Sequence, residues 1–163
     1  MKKIILKPIM ILTVLSFVVT CNTTHYVTNK NQEKMFTTEQ IKEKLSKVET
    51  GADFPALATG LKNIGVTYYE TKMEDGSSIF HGKNGYELPT VPNYEPILIA
   101  DTVNLEQLKI DIANHQQGKS DYFQISRQSA DNGVEKWAVC LVSMTCTYID
   151  KAGKNVWVEH IPQ

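Results

Sequence analysis

The 163-residue chain lacks any run of about 20 apolar residues, the length that a membrane-spanning helix requires. The apolar stretch Pro8 to Val19 instead has the size of a secretory-signal core, about 7–15 residues. Cysteine is sparse: the 3 residues Cys21, Cys140 and Cys146 cannot supply the dense disulfide framework of a small secreted scaffold. None is demanded, because a domain of about 130 residues buries roughly two-thirds of the surface its unfolded chain exposes. The 4 histidines, His25, His81, His115 and His160, form no His-x-His or His-x-x-x-His pair, so neither a metal nor another cofactor is expected. Strong positive charge is missing as well. The formal charge is -1, and setting aside Lys2, Lys3 and Lys7 leaves 14 basic against 18 acidic residues, a charge of -4. Without a Lys/Arg cluster interleaved with aromatics, nucleic acid is not an expected partner.

What is present is an ordinary globular balance, 42% hydrophobic and 21% charged, enough for one domain. Lys2 and Lys3 followed by the apolar run read as the start of an export signal over residues 1–21. Val18-Val19-Thr20-Cys21 resembles a bacterial lipobox, in which cleavage leaves an N-terminal cysteine that carries lipid. Thr20 departs from the usual Gly, Ala or Ser, so ordinary signal cleavage and retention as a signal anchor stay open beside lipidation of Cys21. Residues 22–34 are polar and without apolar periodicity, as a flexible tether would be. The expected location is the cell envelope, with the chain periplasmic or held to the membrane by its N-terminal lipid.

From residue 35 to 163 the spacing predicts a single α+β domain built from two ααβββ repeats with antiparallel meanders, over about 37–88 and 104–161. Thr37 with Gln40 makes a capping box for a helix to about Val48. Asp53 is placed to cap a second helix, with Pro55 in its first turn and Gly65 at its end. Val66 to Met73, Ser77 to His81 and Tyr86 to Leu88 read as strands, the first pair joined by a two-residue turn at Asp75-Gly76. Pro89, Pro92 and Pro96 mark a connector that can end in a short strand at Ile97-Leu98-Ile99. Asn104 with Gln107 then makes another capping box, a fourth helix spans about Asp121 to Asn132, and strands follow at Val134–Val142, Thr145–Ile149 and Asn155–Ile161.

The residues repeat along with the elements. Glu39-Gln40-Ile41-Lys42 returns as Glu106-Gln107-Leu108-Lys109, and Gly51 as Gly118, at an offset of 67. Thereafter the offset is 68: Asp53-Phe54 with Asp121-Tyr122, Gly65-Val66 with Gly133-Val134, Tyr69 with Trp137, and Phe80-x-x-Lys83-x-Gly85 with Tyr148-x-x-Lys151-x-Gly153. An offset held across most of the domain points to internal duplication, with the halves packed about a pseudo-twofold axis.

If Ser143-Met144 is the turn matching Asp75-Gly76, Cys146 faces Leu141 and shares a sheet face with Trp137 and Val139, leaving Cys140 on the other. Two unpaired thiols are the favoured reading; a three-residue loop would instead set Cys140 opposite Cys146, as a disulfide requires. His81 and His115 correspond to Ile149 and Val48, polar groups kept in one half only. Together with Trp137 they are the candidate ligand-site residues. Glu70 and Glu159, with a histidine, could serve acid/base chemistry, although solvent-facing alternation explains carboxylates on half-buried strands equally well. Tyr68, Tyr69, Trp137 and Tyr148 suit a stacking platform or, more commonly, a core.

Several blocks carry a family resemblance: Gly51-Ala52-Asp53-Phe54-Pro55, Gly65-Val66-Thr67-Tyr68-Tyr69-Glu70, His115-Gln116-Gln117-Gly118-Lys119, Gly133-Val134-Glu135-Lys136-Trp137, Met144-Thr145-Cys146-Thr147-Tyr148 and Ile161-Pro162. In these the chain from Met35 onward resembles the YbcV-like family, DUF1398, bacterial and prophage-borne proteins sometimes labelled phage envelope proteins. The resemblance implies a small α+β fold and brings no established activity, substrate or catalytic residue. The family's usual form starts near Met35, so an export signal here is a departure from it and Met35 an alternative start. Three functions are weighed: an exported, non-catalytic module binding a small ligand or a protein; a small hydrolase-like enzyme with its site between the repeats; and a phage or envelope structural component.

Overall fold

Local hydrogen bonding sets where the helices begin. In the computed structural model, which describes residues 35–163, Thr37 accepts from Gln40 N at 3.3 Å while Gln40 Oε1 accepts from Thr37 N at 2.8 Å, a complete capping box opening α1 (Thr38–Leu45). The candidate export signal, the tether, His25 and Cys21 lie outside the described residues. Helix α1 ends earlier than its apolar spacing suggests, because the N–H of Ser46 already bonds back to Lys42 O and the chain leaves in a turn through Lys47 and Val48. Asp53 does not cap α2 (Phe54–Asn63) through its side chain. Its carboxylate instead accepts from Thr50 N at 2.9 Å and Glu49 N at 3.0 Å and closes a 3-10 turn over Gly51–Asp53.

Three strands follow: β1 (Tyr68–Lys72), β2 (Ser78–His81) and β3 (Glu87–Pro89). The second half gives α3 (Leu105–Gln116), α4 (Tyr122–Asp131), β4 (Val134–Cys140), β5 (Thr145–Asp150) and β6 (Asn155–His160). Helix α4 carries a full capping box between Asp121 and Gln124, whereas at α3 only Asn104 caps, accepting from Gln107 N. The Gln107 amide turns instead to Asp111, whose other oxygen accepts from Asn132 at the end of α4 and so ties the two helices together. The stretch Ile97–Ile99 is not a strand. Pro96 precedes it, and its segment bonds through Ile97 N to Glu74 O and Ala100 N to Ala130 O, with Ile97 and Ile99 packed on the core.

The strands form one antiparallel sheet in the order β3-β2-β1-β4-β5-β6, two meanders joined where β1 meets β4. Both β1–β2 and β4–β5 turn through four residues rather than two, Met73–Gly76 and Leu141–Met144. Gly76 (φ 70°) and Met144 (φ 51°) take the left-handed conformation that closes each turn. Cys146 therefore opposes Val139 rather than Leu141, a register moved by two residues, so the side-chain faces are unchanged. Cys140 and Cys146 point to opposite faces and are both free thiols.

One sheet face packs against the helices. Ile41, Leu61, Leu108 and Ile125 meet Phe80, Val139, Cys146 and Tyr148 in a single core cluster. Phe36 closes one end of it, 1% exposed, its carbonyl accepting from Tyr86 Oη at 2.8 Å and its ring edge-on to that tyrosine.

Candidate functional site

Sheet parity brings two adjacent rows of side chains under the helices. Phe80, Tyr69, Val139, Cys146 and Glu159 are register partners across β2, β1, β4, β5 and β6; Ser78, Thr71, Trp137, Tyr148 and Trp157 form the next row. Between these rows and α1, α3 and α4 lies a partly enclosed cavity of about 640 Å³, its wall mostly apolar and drawn from both halves of the domain. That volume falls in the usual range of small-molecule sites, about 300–1,000 Å³.

The polar groups on this wall are few. Tyr69 is 7% exposed and stacks on Phe80 with ring centroids 5.1 Å apart. Burial above all pushes that phenol well up, so it stays protonated and able to donate. Trp137 Nε1 is buried without an acceptor, its ring edge-on to Tyr122 and Tyr148. Glu159 is half-buried: Oε1 accepts from Tyr148 Oη at 2.6 Å and Oε2 from Gln116 Nε2 at 3.1 Å. Burial and, secondarily, the Glu159 charge hold the Cys146 thiol far above its ordinary value, which keeps it neutral and unreactive.

His115 reaches the cavity from the last turn of α3. Its Nδ1 lies 2.9 Å from the Ser120 carbonyl, which only accepts, so Nδ1 carries the proton and Nε2 is the free ring nitrogen. Burial lowers its pKa, opposed by the Ser120 carbonyl and Asp121, and the ring is neutral at pH 7. A glycine is required opposite it: a Cβ at Gly51 would come within 2.5 Å of both His115 Cδ2 and the His115 carbonyl oxygen.

Of the residues singled out from the sequence, His115, Trp137 and Glu159 line this cavity. His81 and Glu70 do not; they stand on the opposite sheet face. There Glu70 accepts from Tyr68 Oη at 2.6 Å and Lys136 Nζ at 3.0 Å, and His81 Nδ1 sits 3.3 Å from Glu87. The four acid/base candidates are thus split by the sheet, and no common point serves them all. Among the aromatics, Tyr69, Trp137 and Tyr148 face the cavity and Tyr68 turns away. Gln116 and Tyr122 join the wall although the sequence marked them only within a family block and a repeat match and not as site residues, since a long-range approach brings them there. Among the described residues no group of His, Cys, Asp and Glu could hold a metal ion, and no helix is long and apolar enough to cross a membrane.

Fold and site together define an α+β domain whose single antiparallel sheet and helices enclose a largely apolar, aromatic-rich cavity. Residues 42–160 match the model of the family described as a protein of unknown function, DUF1398, and the chain belongs to that family. No curated protein matches the chain.

Proposed function

We propose that this protein is a non-catalytic binding module that takes a small, largely apolar molecule into the cavity between sheet and helices. The observation that carries this reading is the cavity itself, with the buried Trp137 indole N–H on its wall left without an acceptor. An unsatisfied buried polar group costs about 1–3 kcal/mol, which a ligand acceptor would recover. A hydrolase reading loses its support from the separation of Glu70 and His81 from His115 and Glu159.

In this reading Met1 to Cys21 directs export, and Cys21 carries a lipid that holds the domain at the envelope; the basic start, the apolar run and the cysteine support it. Internal duplication is part of the same proposal. It is supported by α2 and α4, whose first and last residues are each 68 positions apart, and by positive φ at Gly65 and Gly133, Gly76 and Met144, and Gly85 and Gly153, pairs with the same spacing. A binding site at the seam of two such halves draws its wall from both.

Titration of the purified protein with benzyl alcohol, followed by the Trp137 indole N–H resonance, tests the binding reading. Saturable movement with a millimolar dissociation constant, roughly -4 kcal/mol, is expected, with the alcohol recovered unchanged. Ser78→Phe, which adds a ring to the cavity floor, is expected to weaken it. A resonance that never moves, or a folded Ser78→Phe variant that binds equally well, would sink the proposal. For the export reading, a native species that starts at Met35 and stays soluble in the cytoplasm would be decisive against it.

A further inference from the structure

We infer that the molecule bound in this cavity is an organic cation, an ammonium group on an apolar or aromatic body, with Glu159 as its counter-charge. The inference rests on the binding reading above and deepens it. Apart from three tyrosines and Cys146, which burial keeps protonated, the ionisable side chains on the wall are Lys42, Glu49, His115 and Glu159. Lys42 and Glu49 are exposed, one of each sign, and His115 is neutral. That leaves the half-buried Glu159 to set the sign of the interior, and among the described residues no cation lies within ion-pair distance of it.

Neutral donors alone hold this carboxylate. Tyr148 Oη and Gln116 Nε2 each occupy one oxygen, which fixes its direction without cancelling its charge. Beside it stand aromatic rings. Tyr148 is flanked by Trp157, stacked at 5.0 Å, and by Trp137, edge-on at 6.3 Å, and Tyr122 lies edge-on to Trp137 at 6.2 Å. Aromatic faces attract a cation through the ring quadrupole, by about 0.5–2 kcal/mol, and tetraalkylammonium groups, being weakly hydrated, surrender little on entering such a site. An anion would meet its own sign at Glu159 and at every ring face. The Tyr69 side chain, on the cavity wall in the same register row as Glu159 but three strands away, offers a hydroxyl to a polar atom on the ligand's far end.

The test uses three probes that share a phenol ring and a tetrahedral head: 4-hydroxyphenyltrimethylammonium, the uncharged isostere 4-tert-butylphenol, and 4-hydroxybenzenesulfonate. Titrated into the full-length wild-type protein, the cation is expected to bind about tenfold more tightly than the isostere and the sulfonate most weakly. Glu159→Gln, which retains acceptor and shape but not the charge, is expected to erase the preference while leaving 4-tert-butylphenol unchanged. If 4-tert-butylphenol binds as well as the cation to the wild type, the cation assignment falls and the binding reading stands. If none of the three binds, both fall. A preference that survives in Glu159→Gln overturns the role given to Glu159; should that variant not fold, the wild-type ranking of the three probes decides alone.

Discussion

At the scale of single residues, the two described cysteines illustrate how one sequence interval yields two chemistries. Cys146 is 3% exposed on the helix side, and burial holds its thiol high. Cys140, half-exposed on the other face, is also subject to burial, but the Ser143 hydroxyl and amide, the Val142 amide and the Lys62 charge outweigh it and lower its thiol. Iodoacetamide at neutral pH is therefore expected to alkylate Cys140 in the native protein and Cys146 only after denaturation, read by peptide mass mapping; equal labelling would contradict this placement. At Gly51 the constraint is steric. Gly51→Ala is expected to lose about 1–3 kcal/mol, measured by urea unfolding. Because the added methyl would strike the His115 backbone oxygen at 2.5 Å as well as the ring, trimming the ring with His115→Ala should not restore the loss.

At the scale of elements, the capping box at Thr37, the helix start at Asp121 and the helix-ending glycines Gly65 and Gly133 were legible because each is a bond or a backbone conformation settled within a few residues, whereas the box expected at Asn104 is only half formed. The hairpin turns were not. Asp75-Gly76 signals a tight turn, but Gly76 serves as the last of four residues, and the register follows from pairing along the whole strand. The central pair β1–β4 carries its own electrostatic signature. Burial works to raise the Glu70 carboxyl, yet the Tyr68 hydroxyl and the Lys136 ammonium bonded to it, with help from the His81 charge, bring it below its ordinary value of 4.5. A carboxylate lowered on folding contributes stability above its unfolded pKa and loses it as the pH falls through the folded one. The wild type should thus lose more stability between about pH 5 and pH 3 than Lys136→Met, in which the main charge on Glu70 is gone. Equal losses in parallel urea titrations would show that the seam ion pair contributes nothing to acid sensitivity.

At the scale of the molecule, one core cluster contains side chains from both halves, and β1 and β4 join the two meanders into one sheet. Neither half closes a core by itself. Unfolding is accordingly expected as a single transition: Trp137 and Trp157, both in the second half, should report by fluorescence the same urea midpoint that far-UV circular dichroism reports for all helices and strands. Separate midpoints would mean that the halves unfold independently and that the cavity opens before the fold is lost.

The sequence by itself determined the order of the elements, most of their ends and the α+β class, because caps, turns and periodicities act over neighbouring residues. It favoured the alternation that separates Cys140 from Cys146 over the three-residue loop that would have paired them, and the observed register, moved by two residues, preserves that parity. Only the tertiary structure decided that β1 pairs with β4, that the helix-facing side is the one bearing Tyr69, Trp137 and Glu159, and that His81 and Glu70 are shut out of the cavity. These depend on which distant surfaces meet: alternation gives each strand two faces, and only burial against the helices distinguishes them.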